Sequence, residues 1–187
     1  PGQGAGVQGL AFFKKYPRFT GVLLGCTLIY ISHALLNNFT LQIMVTKGGN
    51  SSHMGMAMAL AALSELPTML LFTKMLQKKN SGFWMKLTGF FFLLKALGSW
   101  LAPNVAVYCL LQLTQVLAWA LIAVASVYYI NAVMAPEDAV KGQAYYTMTY
   151  TLASVLASLI GGPMIDRWGV PPMLLFGTLC AALGTAV

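Results

Sequence analysis

The stretch Asn104–Met134, NVAVYCLLQLTQVLAWALIAVASVYYINAVM, contains no charged side chain. About 20 apolar residues suffice to cross the hydrocarbon of a bilayer as a helix. A segment in hydrocarbon must close its own backbone hydrogen bonds, which leaves only helices and closed barrels. The stretch lacks the ten-residue alternation of a barrel strand, so it reads as a membrane helix. Five further apolar runs flank it: Arg18 to about Met44, His53 to about Leu76, Phe83–Leu101, Ala139–Ile160 and Pro171–Val187. The breaks between runs, TKGGNSS, QKKNSG, AP, APED and GGPMIDRWG, are rich in Gly, Pro, Asn or charge.

The whole composition agrees with that reading. Of 187 residues, 58% are hydrophobic and 8% charged, with a mean hydropathy of +0.74. Soluble domains carry roughly 25% charged residues. An all-α membrane protein is expected, a bundle of six transmembrane helices over residues 18–187. Residues 1–17 precede it as a glycine-rich interdomain linker, PGQGAGVQG, and an aromatic-basic interfacial segment, FFKKYPRF. With Pro1 rather than Met at its start, the chain reads as part of a larger protein, and its last apolar run, about 17 residues long, is at the lower limit for a span.

The net charge of +7 is a topology signal rather than a nucleic-acid footprint. Lys14, Lys15, Arg18, Lys74, Lys78, Lys79, Lys86 and Lys141 fall on one side of the predicted spans, against Lys47 and Arg167 on the other. The N-terminus, the second-to-third and fourth-to-fifth connections and the C-terminus are therefore expected in the cytoplasm. Cys26, Cys109 and Cys180 are odd in number and each sits in an apolar run, as buried small hydrophobes do. The chain lacks HExxH, a Walker loop, GxSxG and a Cys/His cluster, so neither an enzyme, a metal nor a cofactor is expected.

Two charges stand at membrane depth. Glu65 lies in ALAALSELPTML of the second run and Lys95 in FFFLLKALGSW of the third. Each costs on the order of 3 kcal/mol to insert, so each needs a reason. Glu65 precedes Lys74 by nine positions and Lys95 follows Lys86 by nine, which places both roughly 13 Å from the same boundary at about 1.5 Å per residue. An ion pair between them is expected, as a structural bridge or as a proton or solute site. Pro67, two residues past Glu65, is expected to distort its helix.

Milder polar side chains fall at helical spacing: His33, Asn37 and Thr40; Gln112, Gln115 and Trp119; Gln143, Tyr146 and Tyr150. Three such stripes predict a wet cavity, or interhelical hydrogen bonds. Amides beside flat aromatic faces suit sugars or nucleosides. In the fifth run Ala153, Ala157 and Gly161, and Ser154, Ser158 and Gly162, offer small-residue packing at four-residue spacing. PEDAVK at Pro136–Lys141 reads as a helix start, and Asn50-Ser51-Ser52 is a glycosylation triplet of a kind common by chance.

These features resemble the C-terminal six-helix half of a major facilitator superfamily transporter, in the branch of lactose permease and related oligosaccharide and nucleoside proton symporters. Glu65 in LSELP stands where that branch carries a membrane glutamate. Lys95 in LLKALGSW stands where it carries an arginine before a G-S pair, an exchange that keeps the charge and loses the bidentate fork. Gly162, Asp166, Arg167 and Gly169 in GGPMIDRWG fit the G-x-x-x-D-R-x-G core of the superfamily's loop signature, although the charge count puts this copy on the outer side. The sequence departs from the branch in QLTQVLAW, where Gln115 and Ala118 occupy the places of a titrating His and Glu.

The resemblance implies a multi-pass protein of the cell membrane, a secondary active transporter that moves a small polar solute with protons by alternating access. Its partners would be the bilayer, the solute, protons and an N-terminal six-helix half. Glu65, Lys95, Asn37, Asn38, Gln112, Gln115, Trp119, Tyr146 and Tyr150 are the expected substrate and coupling residues. The alternatives are a non-transporting sensor or assembly scaffold and a half-size homodimeric transporter.

Overall fold

The computed structural model describes residue 9 and residues 11–187, so most of the glycine-rich start lies outside the described residues. Of the described residues 89% are helical, and none is in a strand. Helix α1 spans Pro17–Asn38, α2 Thr40–Thr46, α3 Ser51–Leu76, α4 Ser81–Leu101, α5 Val105–Leu111, α6 Trp119–Val133, α7 Pro136–Trp168 and α8 Val170–Ala186. Asparagines start three of them: Asn50, Asn80 and Asn104 each accept backbone N–H groups of the first turn of α3, α4 and α5. Proline at the first or second position starts α1, α7 and α8, where its missing N–H costs nothing.

Four segments are long and apolar enough to cross a membrane: Pro17–Asn38, Ser51–Met75, Val105–Val133 and Pro136–Trp168. Helix α4 carries Lys86 and Lys95, and α8 has 17 residues. Two of the apolar runs are not single straight helices. The first breaks at Phe39, between α1 and α2, where Thr40 Oγ1 donates to the carbonyls of Leu36 and Asn37. The fourth breaks between α5 and α6 into a 3₁₀ turn, Gln112–Val116, followed by Leu117 and Ala118.

The segment GGPMIDRWG is not a loop. Helix α7 runs through Pro163 to Trp168, 33 residues or roughly 50 Å at 1.5 Å per residue. A single residue, Gly169, turns the chain into α8 with φ +82°, a conformation that only glycine adopts without strain.

Helix α1 packs along α7 and α8, α4 along α8 and α6, and α3 against the 3₁₀ turn. Of the two small-residue stripes on α7, Ala153, Ala157 and Gly161 are buried, and Gly161 lies against Leu35 and Phe39. Ser158 on the other stripe is exposed and accepts from Asn38 Nδ2 at 2.9 Å, while Gly162 has no neighbour close to where a Cβ would stand.

Part of the interfacial segment folds onto the bundle. Residues 11–15 are helical, and Phe12 is buried against Tyr145 with ring centroids 5.1 Å apart. Lys15 Nζ donates to Asp138 Oδ2 at 2.7 Å, and Tyr16 Oη donates to the same oxygen at 3.0 Å. The Asp138 carboxylate raises the Lys15 ammonium above its ordinary value of 10.5. While Asp138 is ionised, the contact therefore contributes stability that is complete below that value and lost as pH climbs through the raised one; it is lost in acid as well, once the carboxylate is protonated. At the opposite end, Lys47 Nζ donates to the Ala102 carbonyl at 2.6 Å, a cation at the C-terminus of α4.

Candidate functional site

The broken fourth run places the polar side chains. A continuous helix would carry Gln112 and Gln115 on a regular stripe; the 3₁₀ turn tightens the backbone there and buries both. The turn frees carbonyls that need partners. Thr68, one residue past Pro67 on α3 and buried, donates from Oγ1 to the Val116 carbonyl at 2.6 Å. The prolyl ring deprives α3 of an N–H at position 67 but does not end the helix.

Replacing Thr68 with Val keeps the shape and leaves that carbonyl without its donor, a loss of about 1–3 kcal/mol. A lower midpoint of thermal unfolding in detergent is the expected result. An unchanged midpoint would show that this bond does not hold the break.

Beside the break lies a cavity of about 270 Å³. Its walls come from the first, second, fourth and fifth apolar runs: Asn37 and Thr40, Glu65 with the small Ala61 and Ala62, the two glutamines with Trp119, and Tyr150. Lys95, 1% exposed, stands behind Gln115 and donates from Nζ to Gln115 Oε1 at 2.5 Å. Half-buried Glu65 lies beside the same Gln115 amide and within electrostatic range of Lys95.

The expected direct ion pair between Glu65 and Lys95 is not formed. Among the described residues the single ion pair joins Lys15 and Asp138. The reason is the 3₁₀ turn, which brings the Gln115 amide between the two charges. An amide accepts from an ammonium with its oxygen and still has its NH₂ to offer a carboxylate, so Gln115, held by Lys95, is chemically able to bridge the two charges.

His33, noted in the sequence only as part of a stripe, is central here. Its ring is 2% exposed and stacks on Trp119 at 4.7 Å with 12° between planes. Asn37 Nδ2 lies 2.9 Å from His33 Nε2, one helical turn away. When the amide donates there, the neutral imidazole carries its proton on Nδ1, which is buried without a partner. The Asn37 spacing of four was the available signal; nothing local announces the Trp119 stack.

The other expected residues divide. Gln112 lines the cavity and donates from Nε2 to the Tyr108 carbonyl at 3.2 Å. Tyr150 lies against Trp119, 5.1 Å between centroids. Tyr146 is instead turned into the core, its hydroxyl against that of Tyr30, and does not line the cavity. Asn38 is likewise outside it, bound to Ser158. Gly162, Asp166, Arg167 and Gly169 lie at the far end of α7, with Asp166 and Arg167 exposed.

The family model described as MFS_1 like family matches residues 7–176. The chain belongs to the MFS_1 like family. No curated protein matches the chain. Membership in the MFS_1 like family points to a transporter rather than an enzyme, embedded in the lipid bilayer as a multi-pass protein and binding small solutes. The cavity between these apolar helices is lined by hydrogen-bonding side chains and flat aromatic faces together.

Proposed function

We propose that this chain is the C-terminal half of a proton-coupled secondary transporter, of the lactose permease and oligosaccharide or nucleoside symporter branch, working by alternating access in the cell membrane. The observation that carries the reading is the central cavity. It joins Glu65 and, through Gln115, Lys95, and the helix that supplies the bridging amide is broken at that level. Discontinuous helices at a midplane site are how transporters aim polar backbone and side chains at a solute.

In this reading six segments cross the membrane: α1 with α2, α3, α4, α5 with α6, α7 and α8. The N-terminus, the C-terminus and the lysine-rich connection between α3 and α4 face the cytoplasm. Glu65 accepts solute hydroxyls or a proton, and Lys95 tunes it through Gln115. Asn37, Gln112, Trp119 and Tyr150 shape a site for a small polar solute with flat faces, such as a sugar or nucleoside. Asn38 and Tyr146 hold the walls. Gly162, Asp166, Arg167 and Gly169 are a degenerate signature that ends α7.

An N-terminal partner bundle is supported by uneven burial. In the most apolar window of α1, 67% is buried, against 17% in α3 and 22% in α7. Both poorly buried helices contribute to the cavity, and both present large exposed side chains, among them Leu63 and Leu70 on α3 and Leu152 and Leu159 on α7. A second bundle covering those faces would close the cavity.

The test is uptake by the full chain in proteoliposomes with an inward proton gradient, offered a panel of mono- and disaccharides and nucleosides. Gradient-dependent accumulation of at least one is expected. The sensor or scaffold reading is favoured by one observation, the absence of a titrating side chain in Gln112–Ala118. Absence of both uptake and counterflow for every solute would decide for it.

A further inference from the structure

A second and larger cleft, about 810 Å³, opens between α1, the start of α4 and the end of α8. On α1 its wall runs from Val22 through Gly25 and Cys26 to Ile29, roughly 10 Å of helix. On α4 it runs from Asn80 to Gly89, with Lys86 at the membrane edge where the apolar part of that helix begins. Tyr129 of α6 and the Gly184–Val187 end of α8 also line it, and no Asp or Glu side chain does. Arg18 is exposed one turn before Val22, at the start of the α1 wall. Neither Lys86 nor Arg18 belongs to an ion pair among the described residues. Lys74, Lys78 and Lys79 lie on or beside the same connection between α3 and α4.

These features are hard to reconcile with a water-filled space. At about 30 Å³ per molecule the cleft would hold roughly 27 waters, and each needs two to four polar partners. Along the deeper wall Gly25, Cys26, Ile29 and Gly89 offer none with their side chains, and the Thr185 hydroxyl there is directed to the carbonyls of Gly89 and Ala181. An occupant with an anionic head at the membrane edge and a hydrocarbon body below it satisfies both ends. We propose that the cleft binds an anionic phospholipid, its phosphodiester beside Lys86 and Arg18 and an acyl chain along α1 from Val22 to Ile29. This requires only that the bundle sit in a bilayer and is independent of what the central cavity carries.

The full chain, purified in neutral detergent, is titrated with dioleoylphosphatidylglycerol or dioleoylphosphatidylcholine and bound lipid is counted by native mass spectrometry. The anionic lipid is expected to bind at least about tenfold more tightly, from the attraction of two unpaired cations. The double variant Lys86→Gln, Arg18→Gln should lose most of that preference. Cys26→Trp, which fills the apolar wall and keeps both cations, should weaken both lipids. Equal binding of the two lipids overturns the proposal, as does a preference that survives the double variant. Displacement of the phosphatidylglycerol by millimolar inorganic phosphate also overturns it, because the site would then hold a free anion rather than a lipid.

Discussion

Glu65→Gln is expected to abolish uphill accumulation of solute while leaving the protein folded and able to exchange solute across the membrane. A solute moved with one proton is driven by 1.36 kcal/mol per unit of pH difference, so the unsubstituted protein should concentrate it about tenfold per unit. The variant should reach a ratio of about one. The physical argument is that coupling needs a group that gains and loses a proton where the solute binds. Of the four acids, Glu137 and Asp138 open α7 and Asp166 lies exposed near its far end; Glu65 alone lines the cavity. Gln keeps the size and the hydrogen-bonding character, so equilibrium counterflow should persist. Accumulation unchanged in Glu65→Gln would remove Glu65 from coupling and shift that role outside this bundle.

Gly25→Leu is expected to give a large loss of stability. Helices α1 and α8 cross with almost no space between their backbones. A Cβ built on Gly25 would stand 2.8 Å from the Gly184 carbonyl oxygen, and one on Gly184 would stand 2.5 Å from that of Gly25. Neither obstacle is a side chain that can rotate away, so the helices must separate. Overpacking of even a methyl group costs about 1–3 kcal/mol, and a leucine at a backbone crossing exceeds that. Gly21→Leu is the control: it lies one turn earlier on the same helix and has no neighbour close to where a Cβ would stand. Unfolding in detergent should show Gly21→Leu within about 0.5 kcal/mol of the parent, as surface substitutions are. Equal effects at the two positions would show that the close crossing is not what holds α8 to α1.

The helical membrane class was readable from hydropathy because run length and lack of charge are local quantities. Helical rise alone predicts equal depths for Glu65 and Lys95. How those two residues meet did not follow. Equal depth on neighbouring helices predicts an ion pair, but the structure inserts Gln115 between them, through a break that no local signal marks. The residues of QLTQVLA include no glycine or proline, and the break is supported from another helix by Thr68. GGPMIDRWG misled in the opposite direction. Its Pro and Gly pairs read as a loop, yet α7 continues through them, and only Gly169, with its positive φ, ends the helix.

Composition and periodicity thus determine that this chain is a bundle of membrane helices with a few polar stripes, because burial in hydrocarbon forces apolar runs and internally satisfied backbones. The packing of one helix against another settles which members of a stripe share a space. Tyr146 and Tyr150 lie one turn apart on α7, and α1 meets them with Tyr30: one hydroxyl is taken into the core, and the other ring is left against Trp119 at the cavity. His33 gains its importance in the same way, from a stacking partner on a helix more than 80 positions away in the chain, and no periodicity within α1 carries that information.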